Sequence, residues 1–152
     1  MTGKQVYIDT NIFIYVATRL PDYYAKCHDV LEALVSGDFE AYGSKLVLFE
    51  LFGALSKYSV DAAYETSLAY LSLPIKLIEP SLEALELARE IARTARVTYD
   101  SLHAALAISS GADTIVTEDL KDWKKIKNKW RQISARYSLK ELHVYSPTHG
   151  YL

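Results

Sequence analysis

Short apolar, β-branched runs alternate along this chain with longer stretches whose apolar residues recur every three or four positions, the pattern of strands separated by helices. Val6-Tyr7-Ile8 reads as a buried strand and Ile12 to Val16 as a short helix after it. Pro21-Asp22 opens a second helix in which Cys27, Val30, Leu31 and Leu34 keep one-sided spacing, and Gly37 permits the left-handed turn that closes it. Phe39 to Tyr42 reads as a second strand. Ser44 suits the N-cap of a helix whose body, Leu46 to Leu55, is apolar on almost every face and is expected to be buried. Asp61 to Leu73 makes a further helix, with Tyr64, Leu68 and Leu71 on one stripe, stopped by Pro74.

Ile75 to Ile78 is a third strand. Ser81 caps a long amphipathic helix with Leu82, Leu85, Ala88, Ile91 and Ala95 as its expected buried face. Val97 to Ile108 is a helix rich in small residues, Thr114-Ile115-Val116 a fourth strand, and Leu142 to Tyr145 a last one. Strand and helix alternate throughout, with no internal repeat or low-complexity linker. Right-handed crossovers then give an α/β fold, one parallel sheet covered by helices.

At 152 residues and 50% hydrophobic content the chain can bury the core of a single domain, residues 1 to 152. Apolar runs such as Leu46 to Leu55 are too short to span a bilayer, and Met1 to Gln5 lead into a strand without a signal-peptide apolar region, so the expected location is cytoplasmic. A lone Cys27 excludes an internal disulfide and a cysteine-based zinc ribbon, while His28, His103, His143 and His149 show no HExxH spacing. Any bound metal therefore takes oxygen ligands.

The net charge of −2 hides a segregation. Residues 121 to 140 carry eight basic side chains against Asp122 alone, +7, and the rest of the chain carries nine basic and eighteen acidic ones, −9. An acidic body with one basic segment is a nucleic-acid footprint.

Four carboxylates stand out by context: Asp9 after the first strand, Glu50 inside an apolar helix, Asp100 at a helix mouth and Asp119 after the fourth strand. Helix capping explains Asp9 or Asp100 taken alone. Strand ends and adjoining helix starts share one rim of a parallel sheet, however, so the four can converge. Like charges about 5 Å apart repel by roughly 3 kcal/mol at an effective dielectric near 20, which a hard divalent cation offsets. Mg²⁺, or Mn²⁺, suits such an all-oxygen site, and phosphodiester hydrolysis is the chemistry it commonly runs. His103 lies one turn beyond Asp100 on the same face and reads first as a hydrogen-bonded structural histidine, second as a ligand or proton-transfer group.

In Ile8-Asp9-Thr10-Asn11, the Glu of Leu48-Phe49-Glu50-Leu51, the helix Tyr99-Asp100-Ser101-Leu102-His103-Ala104-Ala105-Leu106-Ala107 and Val116-Thr117-Glu118-Asp119, the chain resembles the PIN-domain ribonucleases and, among them, the VapC-type toxins. Each motif is short; their order and spacing over residues 6 to 123 make the set specific. The resemblance implies strand order 3-2-1-4-5, Mg²⁺-dependent RNA cleavage, a homodimer and inhibition by a small antitoxin. It implies that Asp9, Asp100 and Asp119 hold metal directly, that Glu50 positions a second metal or the attacking water, and that Asn11 and Thr117 are close supports. A stand-alone RNA-maturation nuclease and a non-catalytic RNA-binding protein of the same fold are the alternatives.

Residues 124 to 141 depart from the family pattern as a longer, more basic insertion, helical in potential but without a clear apolar period. One reading is an RNA-holding arm, with Lys124, Lys125, Lys127, Lys129 and Arg131 on phosphates and Trp130 or Tyr137 stacking on a base. The other is a solvated helix or loop with no specific role.

Overall fold

In a computed structural model, which describes residues 1–152, β1 (Gln5–Ile8) is the strand on which the sheet is laid. Val6, Tyr7 and Ile8 are fully buried there. The chain continues through α1 (Thr10–Ala17), α2 (Tyr24–Val35), β2 (Glu40–Ser44), α3 (Lys45–Ser56), α4 (Val60–Ser72) and β3 (Ile75–Ile78). Then come α5 (Leu82–Ala95), α6 (Tyr99–Ser110), β4 (Thr114–Val116), α7 (Leu120–Tyr137), β5 (His143–Ser146) and β6 (Gly150–Tyr151). The sheet order is β3-β2-β1-β4-β5-β6.

Every pairing is parallel except that of β6, which returns antiparallel along β5. The resemblance implied the first five strands in this order; the short sixth strand extends it. The order in which strands are added reverses at β1, which pairs with β2 on one side and β4 on the other. The crevice beyond the carboxyl ends of β1 and β4 is thus the switch point where open α/β sheets bind ligands. Helices α1 to α4 pack among themselves, and α5, α6 and α7 form a second group. No helix is long and apolar enough to cross a membrane.

Local chemistry explains most boundaries. Ser44, Ser59 and Ser81 cap α3, α4 and α5, accepting from the amides of Val47, Ala62 and Ala84. Gly111 ends α6 at φ 83°, a conformation that costs a side chain energy. Gly43 has a different reason: a Cβ there would collide with the Tyr70 hydroxyl and lie 2.9 Å from Ile75 Cγ2. The missing side chain lets Tyr70 reach across and donate to the Ser44 carbonyl at 3.2 Å.

Three expectations are corrected. Helix α3 is buried only along Val47, Leu51 and Leu55, and Phe49 is 71% exposed, because α1 and α4 cover one side of it and nothing covers the other. In α5 the buried face is Ala84, Leu87, Ala88, Ile91 and Ala95, whereas Leu82 and Leu85 are exposed. A step of three drifts backward around a 3.6-residue helix, so 82-85-88 leaves the buried stripe that 84-88-91-95 follows.

The third correction is the basic segment. It is an 18-residue helix, α7, with Trp123, Ile126, Trp130 and Ile133 buried at intervals of three and four. Its lysines lie between these positions and mask the stripe in a linear reading. Trp130 is 7% exposed, and its indole donates to the Lys140 carbonyl at 3.1 Å. It belongs to the core and is not available to stack on a base. The Tyr64, Leu68 and Leu71 stripe of α4 faces solvent; Ala63, Ser67 and Tyr70 are the residues that α4 buries.

Candidate active site

Asp9 follows the last residue of β1 and caps α1. Its backbone amide donates to the Val116 carbonyl at 3.0 Å, continuing the ladder between β1 and β4. Its carboxylate is 4% exposed and takes donors from three directions. Oδ1 accepts from the Thr10 amide at 2.7 Å; Oδ2 accepts from Thr117 Oγ1 at 2.7 Å, Asn11 Nδ2 at 2.9 Å and Trp123 Nε1 at 3.3 Å. Asn11 also donates to Thr117 Oγ1 at 2.9 Å and accepts from the Glu118 amide at 2.9 Å. Thr117 Oγ1 accepts from the Asp119 amide at 3.1 Å, which orients the turn into α7. The two polar neighbours singled out in the sequence, Asn11 and Thr117, therefore join the end of β1 to the end of β4.

Glu118, between two site residues, faces away and does other work. It is buried and accepts from Ser146 Oγ at 2.6 Å and from the Thr148 amide and hydroxyl at 2.8 Å each. These bonds tie the turn between β5 and β6 to the rim beside the site.

Glu50 enters from α3. His103 Nε2 donates to Glu50 Oε1 at 2.7 Å and lies 3.7 Å from Asp9 Oδ1. On the far side of the ring, Nδ1 pairs with the Tyr7 hydroxyl at 3.0 Å, which pairs with Ser44 Oγ at 2.9 Å. Burial alone would lower the pKa of His103, but the Asp9 and Glu50 carboxylates outweigh it and hold the imidazole above its ordinary value. The charge inside the apolar helix, unexplained in the sequence, thus has a buried imidazole as its hydrogen-bond partner.

Asp9, Glu50, Asp100 and Asp119 all line one cavity of about 530 Å³, with Thr10, Asn11 and Asp122. Asp100, Asp119 and Asp122 each offer a carboxylate oxygen within 4.8 Å of the others; Asp9 and Glu50 stand outside that trio. Asp122 was not recognised in the sequence, although it lies three residues after Asp119 and so on the same face of the helix that Asp119 starts. Trp123 and Thr10 were missed as well. Thr10 is 4% exposed, and its hydroxyl is the one buried side-chain polar atom without a hydrogen-bond partner.

The donor set fits a hard divalent cation. It is made of carboxylate oxygens, it lacks sulfur, and it is electrostatically uncomfortable as it stands. Burial, then the charges of Asp9 and Asp119, push the Asp100 carboxyl up to about 7. The orphaned Thr10 hydroxyl offers the same cavity a further polar contact.

A pH dependence follows. The unfolded Asp100 ionises near pH 3.9 and the folded one near 7, so between these values the folded state binds more protons and loses stability as pH rises. In EDTA, Asp100→Asn should raise the melting temperature at pH 8, by about 2–4 °C per kcal/mol recovered, and change it little at pH 4. Thermal melts of the two proteins at both pH values check this. An equal shift at both would assign the effect to something other than ionisation.

The basic side chains divide. Lys124, Lys129 and Arg131 extend from the outer face of α7, Lys125 pairs with Asp122 at 2.6 Å, and Lys127 donates to the Leu142 carbonyl at 3.0 Å.

The sequence profile of the PIN domain family matches residues 6–129. No curated protein matches the chain by sequence. Among solved structures, the chain is similar to VapBC2 from Rickettsia felis bound to a DNA fragment from its promoter, at 22% identity and a TM-score of 0.66, over 93% of this chain and 98% of that one. It is similar to DNA-bound VapBC from Salmonella typhimurium at 19% identity and 0.64, over 97% and 99%. It is also similar to VapC20 from Mycobacterium tuberculosis, a toxin that cleaves the sarcin–ricin loop, at 16% identity and 0.64, over 78% and 93%. The profile spans most of the chain, and the strand order and rim geometry agree with it. The chain belongs to the PIN domain family.

Proposed function

We propose that this protein is a metal-dependent endoribonuclease, with Mg²⁺ or Mn²⁺ as its ion, and that it is the toxin of a toxin–antitoxin pair. The observation that carries the reading is the meeting of Asp9, Glu50, Asp100, Asp119 and Asp122 in one cavity at the switch point of the sheet. Asp9 has its donors, Glu50 has His103 and Asp122 has Lys125, while Asp100 and Asp119 have no ion-pair partner in the chain, and a cation in the crevice would supply one. Similarity to toxin–antitoxin complexes and to a toxin that cleaves the sarcin–ricin loop supports the substrate and the biological role.

Asp100, Asp119 and Asp122 would hold the ion, with Asp9 lining the same cavity. When bound, a divalent ion lowers the pKa of water and offsets charge on a phosphate. The chain's own residues do the rest. Asn11, Thr117 and Trp123 keep Asp9 Oδ2 fixed, so little reorganisation is needed when charge develops nearby. His103 holds Glu50 by Oε1, leaving its other oxygen to accept a proton from an attacking water. Thr10, whose buried hydroxyl has no hydrogen-bond partner, lines the same cavity.

An antitoxin belongs to this reading. Phe49, Phe52, Tyr64 and Leu68 leave apolar surface exposed on α3, the helix that carries Glu50, and on α4. A homodimer fits the groove of α5 and α6 lined by Leu82, Leu85, Tyr99 and Leu102, and the expected location is cytoplasmic.

Purified protein should cleave a mixed RNA pool with Mg²⁺ or Mn²⁺ and fail in EDTA. RNA bound but uncut under all these conditions would replace the enzyme with the binding-protein alternative. Cleavage without growth arrest on expression would favour a maturation nuclease over a toxin.

A further inference from the structure

We propose that the cleft between the C-terminal end of α5 and the outer face of α7 is a subsite for backbone phosphates of the RNA strand, next to the position that is cut. This rests on the ribonuclease reading above and gives it a strand path. The cleft has a volume of about 480 Å³ and is lined by Arg93, Thr94, Ala95, Arg96, Lys125, Asn128 and Lys129, four cations and no acid.

Charge balance makes it a site. In a protein of net charge −2, cations on the surface have acids to pair with, and Arg136 pairs with Glu90 across these same two helices at 2.8 Å. Lys125 has Asp122. Arg93, Arg96 and Lys129 have no acidic group within ion-pairing distance although all three line one concavity. Cations gathered in a cleft repel one another unless an anion enters it. Arginine forks and lysine ammoniums, with the Asn128 amide as a neutral donor, suit phosphodiester oxygens.

Arg96 adds a second observation. It caps α5 in the left-handed conformation, φ 56°, where glycine is favoured and a long side chain carries a steric cost. The chain nonetheless places a guanidinium there, at the lip of the cleft.

The cleft also neighbours the acidic cavity at two places along the chain. Asp122, in the acidic trio, and Lys125, in the cleft, are one turn apart on α7 and bonded to each other. Arg96 is followed within four residues by Thr98, Tyr99 and Asp100, which line the acidic cavity. A strand whose reacting phosphate lies among the carboxylates would meet the cleft with its next phosphates, and Lys125 would exchange Asp122 for one of them.

The test is binding of a single-stranded RNA of about 12 nucleotides in EDTA, where cleavage does not intervene, as a function of salt over roughly 50–200 mM. The variant is Arg93→Gln/Arg96→Gln/Lys129→Gln. A second variant, Lys26→Gln/Arg89→Gln/Lys140→Gln, removes the same charge outside the cleft. Each phosphate contact on a single strand contributes about 0.7 to the slope of log K against log salt, so the cleft variant should lower the slope by about 2. Its affinity at low salt should fall on the order of tenfold, with an unchanged circular dichroism spectrum. An unchanged slope, or an equal loss in the second variant, would overturn the subsite and leave only a net-charge effect. Wild-type protein that binds no RNA would overturn it too. Wild-type protein that binds through the cleft but never cuts with metal would sink the ribonuclease reading while the subsite stands.

Discussion

Asp9→Asn should leave a folded protein whose RNA cleavage falls by at least about 10²-fold, the scale of losing one preorganised electrostatic group from an active site. Asparagine matches the carboxylate in shape but carries no charge and presents an N–H₂ where an acceptor stood. If the amide oxygen keeps the place of Oδ2, with its donors from Thr117, Asn11 and Trp123, the amide nitrogen confronts the Thr10 N–H. The mispaired donor should cost about 1–3 kcal/mol of stability, a tolerable fraction of a domain's total. A melt of the variant beside its cleavage time course separates the two effects. In cells, expression of the wild type without a partner should arrest growth and expression of the variant should not. Equal arrest, or equal cleavage by a folded variant, would remove Asp9 from the chemistry.

The largest stability effect should come from Trp123. It is fully buried, it starts the inner stripe of α7, and its indole nitrogen touches Asp9. Trp123→Ala should cost about 3–5 kcal/mol through lost apolar burial and the cavity left behind, on the order of 10 °C in melting temperature at this size. Trp123→Phe retains most of the volume and loses only the donor to Asp9, so it should cost about 1–2 kcal/mol. Chemical denaturation of the three proteins gives both numbers. A Trp123→Ala cost under about 1 kcal/mol would mean that α7 is held by its charges rather than by its buried face. Cleavage by Trp123→Phe, measured where it is fully folded, reports what the indole contributes to Asp9.

What the sequence made legible, and what it concealed, follows from how each residue signals its environment. A strand ending in a carboxylate is a local anomaly, so Asp9 and Asp119 declared themselves, and the buried runs around Tyr7 and Ile115 carried the strand order through the family resemblance. Asp122 and Trp123 were hidden by their neighbours, since Lys121, Lys124 and Lys125 make the segment read as one solvated charge run. Thr10 gave no sign because a threonine at a helix start is ordinary; its unmet hydroxyl exists only in three dimensions. Phe49 and Phe52 failed for the opposite reason. An apolar side chain states a preference for burial, and only the positions of α1 and α4 decide whether a surface is there to bury it. The partner of Glu50, His103, lies 53 residues away and no spacing rule reaches it.

The amide of Asp9 is bonded to Val116, and its side chain to Thr117 and Trp123, more than a hundred positions further along. A chain still being made carries Asp9, Glu50 and Asp100 before the stretch from Val116 to Trp123, with only Thr10 and Asn11 yet gripping the first of them. The site is complete only when that stretch has been made and has paired with β1. On the ribonuclease reading, the enzyme stays harmless until that stretch has been made.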